Sequence, residues 1–369
     1  MRGRRRNILI ATSVLSVSLA IGVFYVWFDV DVSPDIDLLP ELDAEPNGIG
    51  DLELAYRLMC DAPHGSDEET LRLVGGLVDR VLDECEALGK GDCGQDLSFL
   101  EELLRLQSER LEQARSPDEI FSLLLGGLRL SRETRRIATT YRVYDDGVVY
   151  EELFLSQLSI AMSANSASGE RFRESSASFV KELSHKGEVP LLIRCSYSRF
   201  RDYCIGEGRR FGFMPNATRE AAAGELREVL RLWGVPKLGR LSARPRVDPR
   251  FSMQMSGNWS GASFLSGILG GWARVEFYET RLLGMRRVAL VRILVEQYLR
   301  ERGSLPEELG DLVPSIIAEV PKDPYDGEEI RYSSKGGEVW SLADPEGAPG
   351  YDPTPLLTSP PLDSSSLGD

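Results

Sequence analysis

The longest apolar run of the chain lies near its N-terminus, at Ile8–Phe28. It has no charged residue and no proline, and as a helix it would extend about 31 Å, close to the hydrocarbon thickness of a bilayer. Arginines within residues 1–7 precede the run, whereas the segment after it is acidic. Because basic flanks remain cytoplasmic, this pattern predicts a single-pass membrane anchor with the long C-terminal part outside the cytoplasm.

A cleaved signal peptide is the alternative interpretation of the same run. The apolar region of such a peptide usually covers about 7–15 residues and ends at small residues. Here the apolar run continues well past Ser18 and Ala20, so an uncleaved anchor is favoured. Residues 29–50 follow it with prolines and many acids, and they predict an extended linker.

Helical periodicity dominates residues 51–142, where apolar residues recur at steps of three and four. Ser66 and Ser116 each begin a pattern typical of a helix N-terminus, and Pro117 suits a first helical turn. A further helix is predicted over Leu97–Arg115.

The middle of the chain has a less regular pattern. Asp145-Asp146-Gly147 predicts a turn before an apolar helix over Val148–Met162. Ser163–Ser178 is polar, as in a loop or the start of a solvated helix. Val189–Cys195 is a short apolar run that favours a strand, and the arginine-rich residues after it look irregular. A helix with Asn216 as its cap is predicted to run to Trp233.

A glycine pair recurs in three apolar segments, at Gly75-Gly76, Gly126-Gly127 and Gly270-Gly271. The residues around the pairs do not match, so the pairs predict close helix packing rather than a repeated unit. The third pair lies in the longest helix candidate, Gly261–Arg302, which has no proline and is closed by Gly303.

Short alternating patterns replace the helical ones near the C-terminus. Pro306–Val320 predicts a short helix and a turn. Ile330–Ser333 and Glu338–Leu342 alternate around Lys335-Gly336-Gly337, which predicts a β-hairpin. The residues from Asp344 onward are rich in Pro, Ser, Gly and Asp and predict a disordered tail.

Several turn motifs follow one another in a fixed order within Val291–Gly347. A helix ending in Tyr-x-x-x-x-Gly precedes a Leu-Pro-x-x-Leu turn, a Pro-x-Asp-Pro-aromatic-x-Gly turn, an Arg-Tyr strand and a Ser-Leu-x-Asp end. The motifs are formed by Tyr298, Gly303, Leu305, Pro306, Leu309, Pro321, Asp323, Pro324, Tyr325, Gly327, Arg331, Tyr332, Ser341, Leu342 and Asp344. Residues 285–347 thereby resemble the C-terminal module of type II secretion major pseudopilins, which also occurs in other bacterial membrane-anchored proteins. The resemblance implies a small α+β module.

The chain also departs from the pseudopilins. Their leader ends in a glycine followed by an aromatic residue, and a glutamate lies early in the apolar helix. Here Arg4 follows Gly3, and Ile8–Phe28 contains no glutamate. More than 200 residues also separate the anchor from the module. Leader processing and assembly into a pseudopilus are therefore not expected.

A calcium site near the end of the module is a further implication of the resemblance. Carboxylate oxygens suit this ion. Ordinary acids in turns or in solvent explain the same residues more simply, and no metal is expected. The candidate oxygens belong to Asp323, Asp326, Glu328 and Asp344.

Composition and charge narrow the possible partners. The net charge is −15, and no strong basic patch follows the N-terminal arginines, so nucleic acid is not expected as a partner. The five cysteines can pair outside the cytoplasm. Their short separations indicate Cys85–Cys93 and Cys195–Cys204 as candidate disulfides, although sequence does not fix connectivity and an odd number leaves one cysteine over.

No catalytic or cofactor motif stands out. His64 and His185 are the two histidines, and neither has a partner at metal-ligand spacing. Gly89–Gly94 matches G-x-G-x-x-G but follows a helix, so dinucleotide binding is not predicted. Arg194–Arg210 mixes basic and aromatic residues; it predicts either contact with an anionic glycan, lipid headgroup or acidic partner, or ion pairs with the helical body.

The sequence therefore predicts a mainly α protein of the bacterial inner membrane with a small C-terminal α+β module. The expected function is a non-enzymatic envelope scaffold or interaction protein without a cofactor, bound to the bilayer and to an envelope protein. The alternatives are an envelope hydrolase with a carboxylate site in its helical body and an accessory component of a type II secretion-like system. The predicted parts are a cytoplasmic N-terminus (1–7), a transmembrane anchor (8–28), an acidic linker (29–50), a helical periplasmic body (51–280), the module (281–345) and a disordered tail (346–369).

Overall fold

The computed structural model describes residues 97–342 apart from 165–168, 186, 207–212, 238, 241–248 and 256, together with Arg57. None of the helices in this part combines the length and apolarity that a membrane crossing requires. Several predictions lie outside the described residues: the anchor Ile8–Phe28, the linker 29–50, the helix begun by Ser66, the pair Gly75-Gly76, His64, the cysteines Cys85 and Cys93, and the tail 346–369.

The described part is mainly helical and ends in a small hairpin, as predicted. A short 3-10 helix, Leu309–Leu312, precedes the hairpin, whose strands are β1 (Arg331–Ser333) and β2 (Glu338–Trp340). Within the described residues there are eight α-helices: α1 (Phe99–Gln113), α2 (Pro117–Ile137), α3 (Tyr141–Ala164), α4 (Gly169–Leu183), α5 (Leu191–Gly206), α6 (Pro215–Leu232), α7 (Pro249–Met255) and α8 (Trp259–Arg302).

The fold divides into two compact units. In its described part, the first unit comprises residues 194–206, 213–231, 249–255 and 257–273. The second unit comprises the described residues of 97–193, 232–240 and 274–342. The C-terminal hairpin therefore belongs to the same unit as helices α1 to α4.

Helices α2 and α3 form a closely packed pair in the second unit. Ser116 caps α2 by accepting a hydrogen bond from the Glu119 amide at 3.2 Å, and Pro117 occupies the first turn, as predicted. A Cβ on Gly127 would lie 2.6 Å from Cζ of the buried Phe154. The absent side chain lets the ring approach the α2 backbone, and the prediction of close helix packing is confirmed at this glycine.

The predicted turn at Asp145-Asp146-Gly147 is wrong, because α3 runs through it without a break. Gly147 faces α2: a Cβ there would lie 2.6 Å from Cγ of Arg135 and 3.1 Å from the Ser131 carbonyl oxygen. The glycine is required by a close helix crossing rather than by a turn. The pattern looked like a turn because both roles need a residue without a side chain.

The strand predicted at Val189–Cys195 is also wrong. Residues 191–206 form α5, which begins directly after Pro190, so the arginine-rich residues through Gly206 are helical as well. A short apolar run does not distinguish a buried strand from the buried start of a helix. The polar segment Ser163–Ser178 contains the first part of α4, in agreement with the solvated-helix interpretation.

Asn258 organises the first unit at the start of α8. Its buried side-chain oxygen accepts hydrogen bonds from the Met214 amide at 2.9 Å and the Gly261 amide at 3.2 Å. Its side-chain nitrogen donates to the Thr218 hydroxyl at 2.9 Å. One residue therefore caps α8 and ties it to the first turn of α6. Farther along α8, the indole of Trp272 donates to the Ser196 hydroxyl of α5 at 2.7 Å.

The predicted disulfide between Cys195 and Cys204 is wrong. Cys195 is disulfide-bonded, whereas Cys204 is a buried thiol. The two residues lie on the same helix, α5, nine positions apart, which separates them by about 13 Å along the axis. A disulfide requires a Cα separation of about 4.4–6.8 Å, so this pairing is impossible within one helix.

The C-terminal segment follows the predicted order of elements. Gly303 ends α8 with a positive φ of 74°, and its amide donates to the Leu299 carbonyl at 2.8 Å. The hairpin strands are antiparallel, with Tyr332 paired to Val339. The Tyr332 hydroxyl donates to the Pro306 carbonyl at 2.9 Å and so fixes the hairpin to the turn after the helix.

A charged cleft as the candidate functional site

A cleft of about 670 Å³ lies in the second unit beside α8. Glu276, Thr280, Leu283 and Arg287 follow one another at steps of four, three and four, which places them on one stripe of the helix. The segment after α6 and the turn before β1 complete the walls. Their lining residues are Trp233, Val235, Pro236, Arg240, Lys322, Asp323, Pro324 and Gly327.

Arg240 fixes the segment after α6 to α8 at one end of the cleft. Its guanidinium forms an ion pair with Glu276 and donates to the Thr280 hydroxyl at 3.1 Å. It also donates to the Val235 carbonyl at 2.6 Å. Through these three contacts, the Arg240 guanidinium and the Glu276 carboxylate both stabilise the fold.

Glu279 is held by residues of α2 and α3. Arg135 forms an ion pair with it, and the Tyr144 hydroxyl donates to it at 2.9 Å. Burial and the negative charge of Glu279 raise the pKa of Tyr144 well above its ordinary value, so this hydroxyl keeps its proton and remains a donor.

A buried carboxylate, Glu151, lies behind this contact. It accepts hydrogen bonds from Arg135 at 2.8 Å and from Arg286 at 2.5 Å. Burial alone would raise its pKa, but the two arginines outweigh burial, and the pKa of Glu151 lies below its ordinary value of 4.5. The chain Arg286–Glu151–Arg135–Glu279 joins α8 to α2 and α3 through paired charges.

Asp323 and Asp326, two of the candidate calcium ligands, bind Arg331. Asp323 is fully buried and also accepts hydrogen bonds from the amides of Tyr325 at 3.0 Å and Leu342 at 2.8 Å. Both carboxylates therefore stabilise the turn. Within the described residues, no group of three or more His, Cys, Asp and Glu side chains is arranged to hold a metal.

Arg287 differs from the other charged residues of the cleft. Its half-buried guanidinium donates to the Lys322 carbonyl, and no carboxylate of the described residues forms an ion pair with it. Burial lowers the pKa of Arg287, with partial compensation from the negative charge of Asp323. The neighbouring side chain of Lys322 is exposed. The two cations give one end of the cleft a positive charge.

Glu279 also lines a smaller depression of about 70 Å³. His185 lines it together with Arg132, Arg136 and Arg286. Partial desolvation against the wall of the depression, together with the charges of Arg132 and Arg286, lowers the pKa of His185 below its ordinary value of 6.5, although the side chain stays largely in contact with solvent. This histidine is exposed, as the sequence suggested.

Sequence reasoning did not single out Arg287, Glu279 or Arg240. The signal that was present is the stripe of Glu276, Thr280, Leu283 and Arg287 in the longest helix candidate, which recurs with helical spacing. The residues it faces are distant in sequence, so their contacts were not visible. The predicted basic and aromatic segment, Arg194–Arg210, belongs to the first unit in its described part and does not line the cleft.

Comparisons with protein-family models, curated proteins and solved structures found no match to this chain.

Proposed function

We propose that the chain is a membrane-anchored extracytoplasmic interaction protein whose cleft binds a carboxylate-bearing segment of a protein partner. Arg287 is the observation that carries this proposal. Its guanidinium is half-buried at the cleft wall and has a backbone carbonyl, but no carboxylate of the described residues, as its partner. A partner carboxylate would complete this partly desolvated cation through a charge-assisted hydrogen bond.

The rest of the wall suits a peptide that is both apolar and acidic. The wall of the cleft includes five apolar residues: Trp233, Val235, Pro236, Leu283 and Pro324. Apolar walls of this kind bury side chains, while a few charged groups fix their orientation. Lys322 adds a second cation near Arg287, so a segment with one or two acids next to an apolar residue fits best.

A carboxylate hydrolase is less well supported by the same cleft. Its acids, Glu276, Glu279 and Asp323, are bound by Arg240, Arg135 and Arg331 respectively. Carboxylates engaged in this way are not available as the free acid and base that glycoside hydrolysis requires.

The cellular location rests on the N-terminal sequence. The apolar run Ile8–Phe28 anchors the chain in the bacterial inner membrane, and its arginine flank leaves the body on the periplasmic side. The disulfide at Cys195 supports an oxidising compartment, since structural disulfides are rare in the cytoplasm.

A type II secretion-like system is the second candidate source of the partner. The observations that favour it are the helix end at Gly303, the turn around Asp323 and the hairpin of β1 and β2, which follow the order expected for a pseudopilin module. Each of these elements has a structural role in the segment, so the resemblance supports a shared module.

Photocross-linking in membranes tests the proposal. We would place a photoreactive phenylalanine analogue at Leu283 in the full chain and, as a control, at the exposed Val149 of α3. A protein adduct from Leu283 but not from Val149 is expected, and its mass identifies the partner. Turnover of an envelope polymer by the purified chain, abolished by Glu279→Gln, would replace the proposal with the hydrolase.

A further inference from the structure

Exposed apolar side chains are concentrated in the first unit. Of the seven large apolar residues that are exposed in the described part, five lie in this unit, although it contains the minority of the described residues. Met255 is 73% exposed and Trp259 is 56% exposed. The other three are Tyr203, Ile205 and Phe264. Clustered exposed apolar surface of this kind marks an interaction site.

These residues are joined by local structure into one face, which we call the aromatic face. The amide of Asn258 donates to the Met253 carbonyl at 2.9 Å, so a tight turn brings Met255 close to Trp259. The Asn258 side chain binds the Met214 amide, next to Phe213.

Two exposed rings, Tyr203 and Phe264, extend the face over the buried ring of Phe213. Phe213 packs on Phe264 with ring centroids 5.7 Å apart, and Phe264 packs on Tyr203 at 5.2 Å. Tyr203 also contacts Phe213, at 6.4 Å. The exposed apolar residues therefore run from the turn between α7 and α8, along the first turns of α8, to the last turn of α5.

The charge of this unit is opposite to that of the chain. The whole chain has a net charge of −15. The described part of the first unit instead has more arginines than acids. Arg199 is exposed one helical turn before Tyr203, and Arg250 lies at the start of the helix that ends at Met255. The arginines are Arg194, Arg199, Arg201, Arg219, Arg227, Arg231 and Arg250, and the acids are Asp202, Glu220, Glu225 and Glu228.

We infer that the aromatic face docks on an anionic lipid surface. Tryptophan and tyrosine favour the membrane interface, and methionine and phenylalanine can enter the acyl boundary. Arginines beside them are attracted to anionic headgroups, which supplies the charge complementarity. This inference is independent of the cleft, which belongs to the second unit.

The test uses the full chain reconstituted in vesicles of phosphatidylcholine with phosphatidylglycerol. The photoreactive phenylalanine analogue is placed at Met255, and Val149 is again the control because it is exposed and apolar but lies in the second unit. Lipid adducts from Met255 are expected to exceed those from Val149. They should fall in vesicles of phosphatidylcholine alone and at high ionic strength.

Charge variants measure how much the arginines contribute to lipid contact. Arg199→Gln should lower the lipid adducts of Met255 by up to about fivefold, the change that about 1 kcal/mol produces. Lys335→Gln, at an exposed position of the hairpin, should leave them unchanged. Three results would each overturn the inference. The first is a lipid-adduct yield at Met255 no higher than at Val149, and the second is adducts to a protein instead of lipid. The third is a lipid-adduct yield that changes neither when phosphatidylglycerol is omitted nor when Arg199 is replaced. Flotation of the chain with the vesicles reports separately on the anchor Ile8–Phe28.

Discussion

Phe154 lies against the backbone of Gly127 so closely that a methyl group on the glycine would be 2.6 Å from the ring. Phe154 is fully buried, and the helix that carries it also carries Glu151, whose carboxylate binds Arg135 and Arg286. The glycine contact thus sets the distance between α2 and α3 at which this ion-pair chain forms. Packing and buried charge in the second unit therefore depend on each other.

Gly127→Ala is expected to destabilise the second unit by about 1–3 kcal/mol, because the added methyl group must displace a buried ring. Gly270→Ala is the matched control from the third glycine pair, Gly270-Gly271. Nothing lies within 4 Å of a Cβ at Gly270, so alanine should be neutral or stabilise α8 by about 0.5–1 kcal/mol. Urea unfolding of both variants measures the difference, and equal effects would contradict the packing account.

Glu151→Gln should cost about 3–5 kcal/mol at neutral pH, because it leaves two buried arginines with less compensation. Glu109→Gln, which removes an exposed ion pair with Arg105, should cost no more than about 1 kcal/mol. The folded pKa of Glu151 lies below 4.5, so its contribution is present above pH 4.5 and is lost as the pH falls through the folded value. The stability gap between wild type and Glu151→Gln should therefore narrow on acidification; a constant gap would exclude this linkage.

His185 should titrate with a midpoint below its ordinary value of 6.5. Because the charged form is disfavoured in the folded chain, this histidine costs stability as the pH falls below 6.5. NMR titration of the imidazole protons measures the midpoint, and His64→Gln assigns the signals, since the chain has two histidines. Arg132→Gln should raise the midpoint by removing a nearby cation; an unchanged midpoint would show that this charge has no effect.

Peptide mapping without reduction should find Cys195 in a cross-linked peptide and Cys204 as a thiol that alkylates only after unfolding. Burial protects Cys204 in the native chain, and unfolding removes this protection. A peptide in which Cys195 and Cys204 are linked would contradict the helical structure of α5, since the two positions are too far apart along its axis.

Elements with long or strongly punctuated patterns were predictable from sequence. The long helix was expected over Gly261–Arg302 and is found over Trp259–Arg302, and the cap at Ser116 forms as expected. The hairpin strands differ from the prediction by one or two residues. In each case local chemistry decides the structure: capping side chains, alternating polarity and a glycine at positive φ.

The failures occurred where the decisive contact is distant in sequence. Gly147 was predicted to form a turn because its close contact with Arg135 is not visible in the sequence. The apolar start of α5 was predicted to be a strand. The cleft was missed for the same reason: Glu279 meets Arg135, and Arg240 meets Glu276, only after the helices pack. That no carboxylate of the described residues forms an ion pair with Arg287 is likewise a property of the folded chain.

The role of Arg287 in the cleft is measured by the effect of Arg287→Gln on the protein adducts formed from the photoreactive position at Leu283. If Arg287 receives a partner carboxylate, the variant should lose most of these adducts, because a charge-assisted hydrogen bond contributes about 1.5–3 kcal/mol. Lys335→Gln should leave the yield unchanged. Equal yields from wild type and Arg287→Gln would contradict the account of the cleft as an anion-binding interaction site.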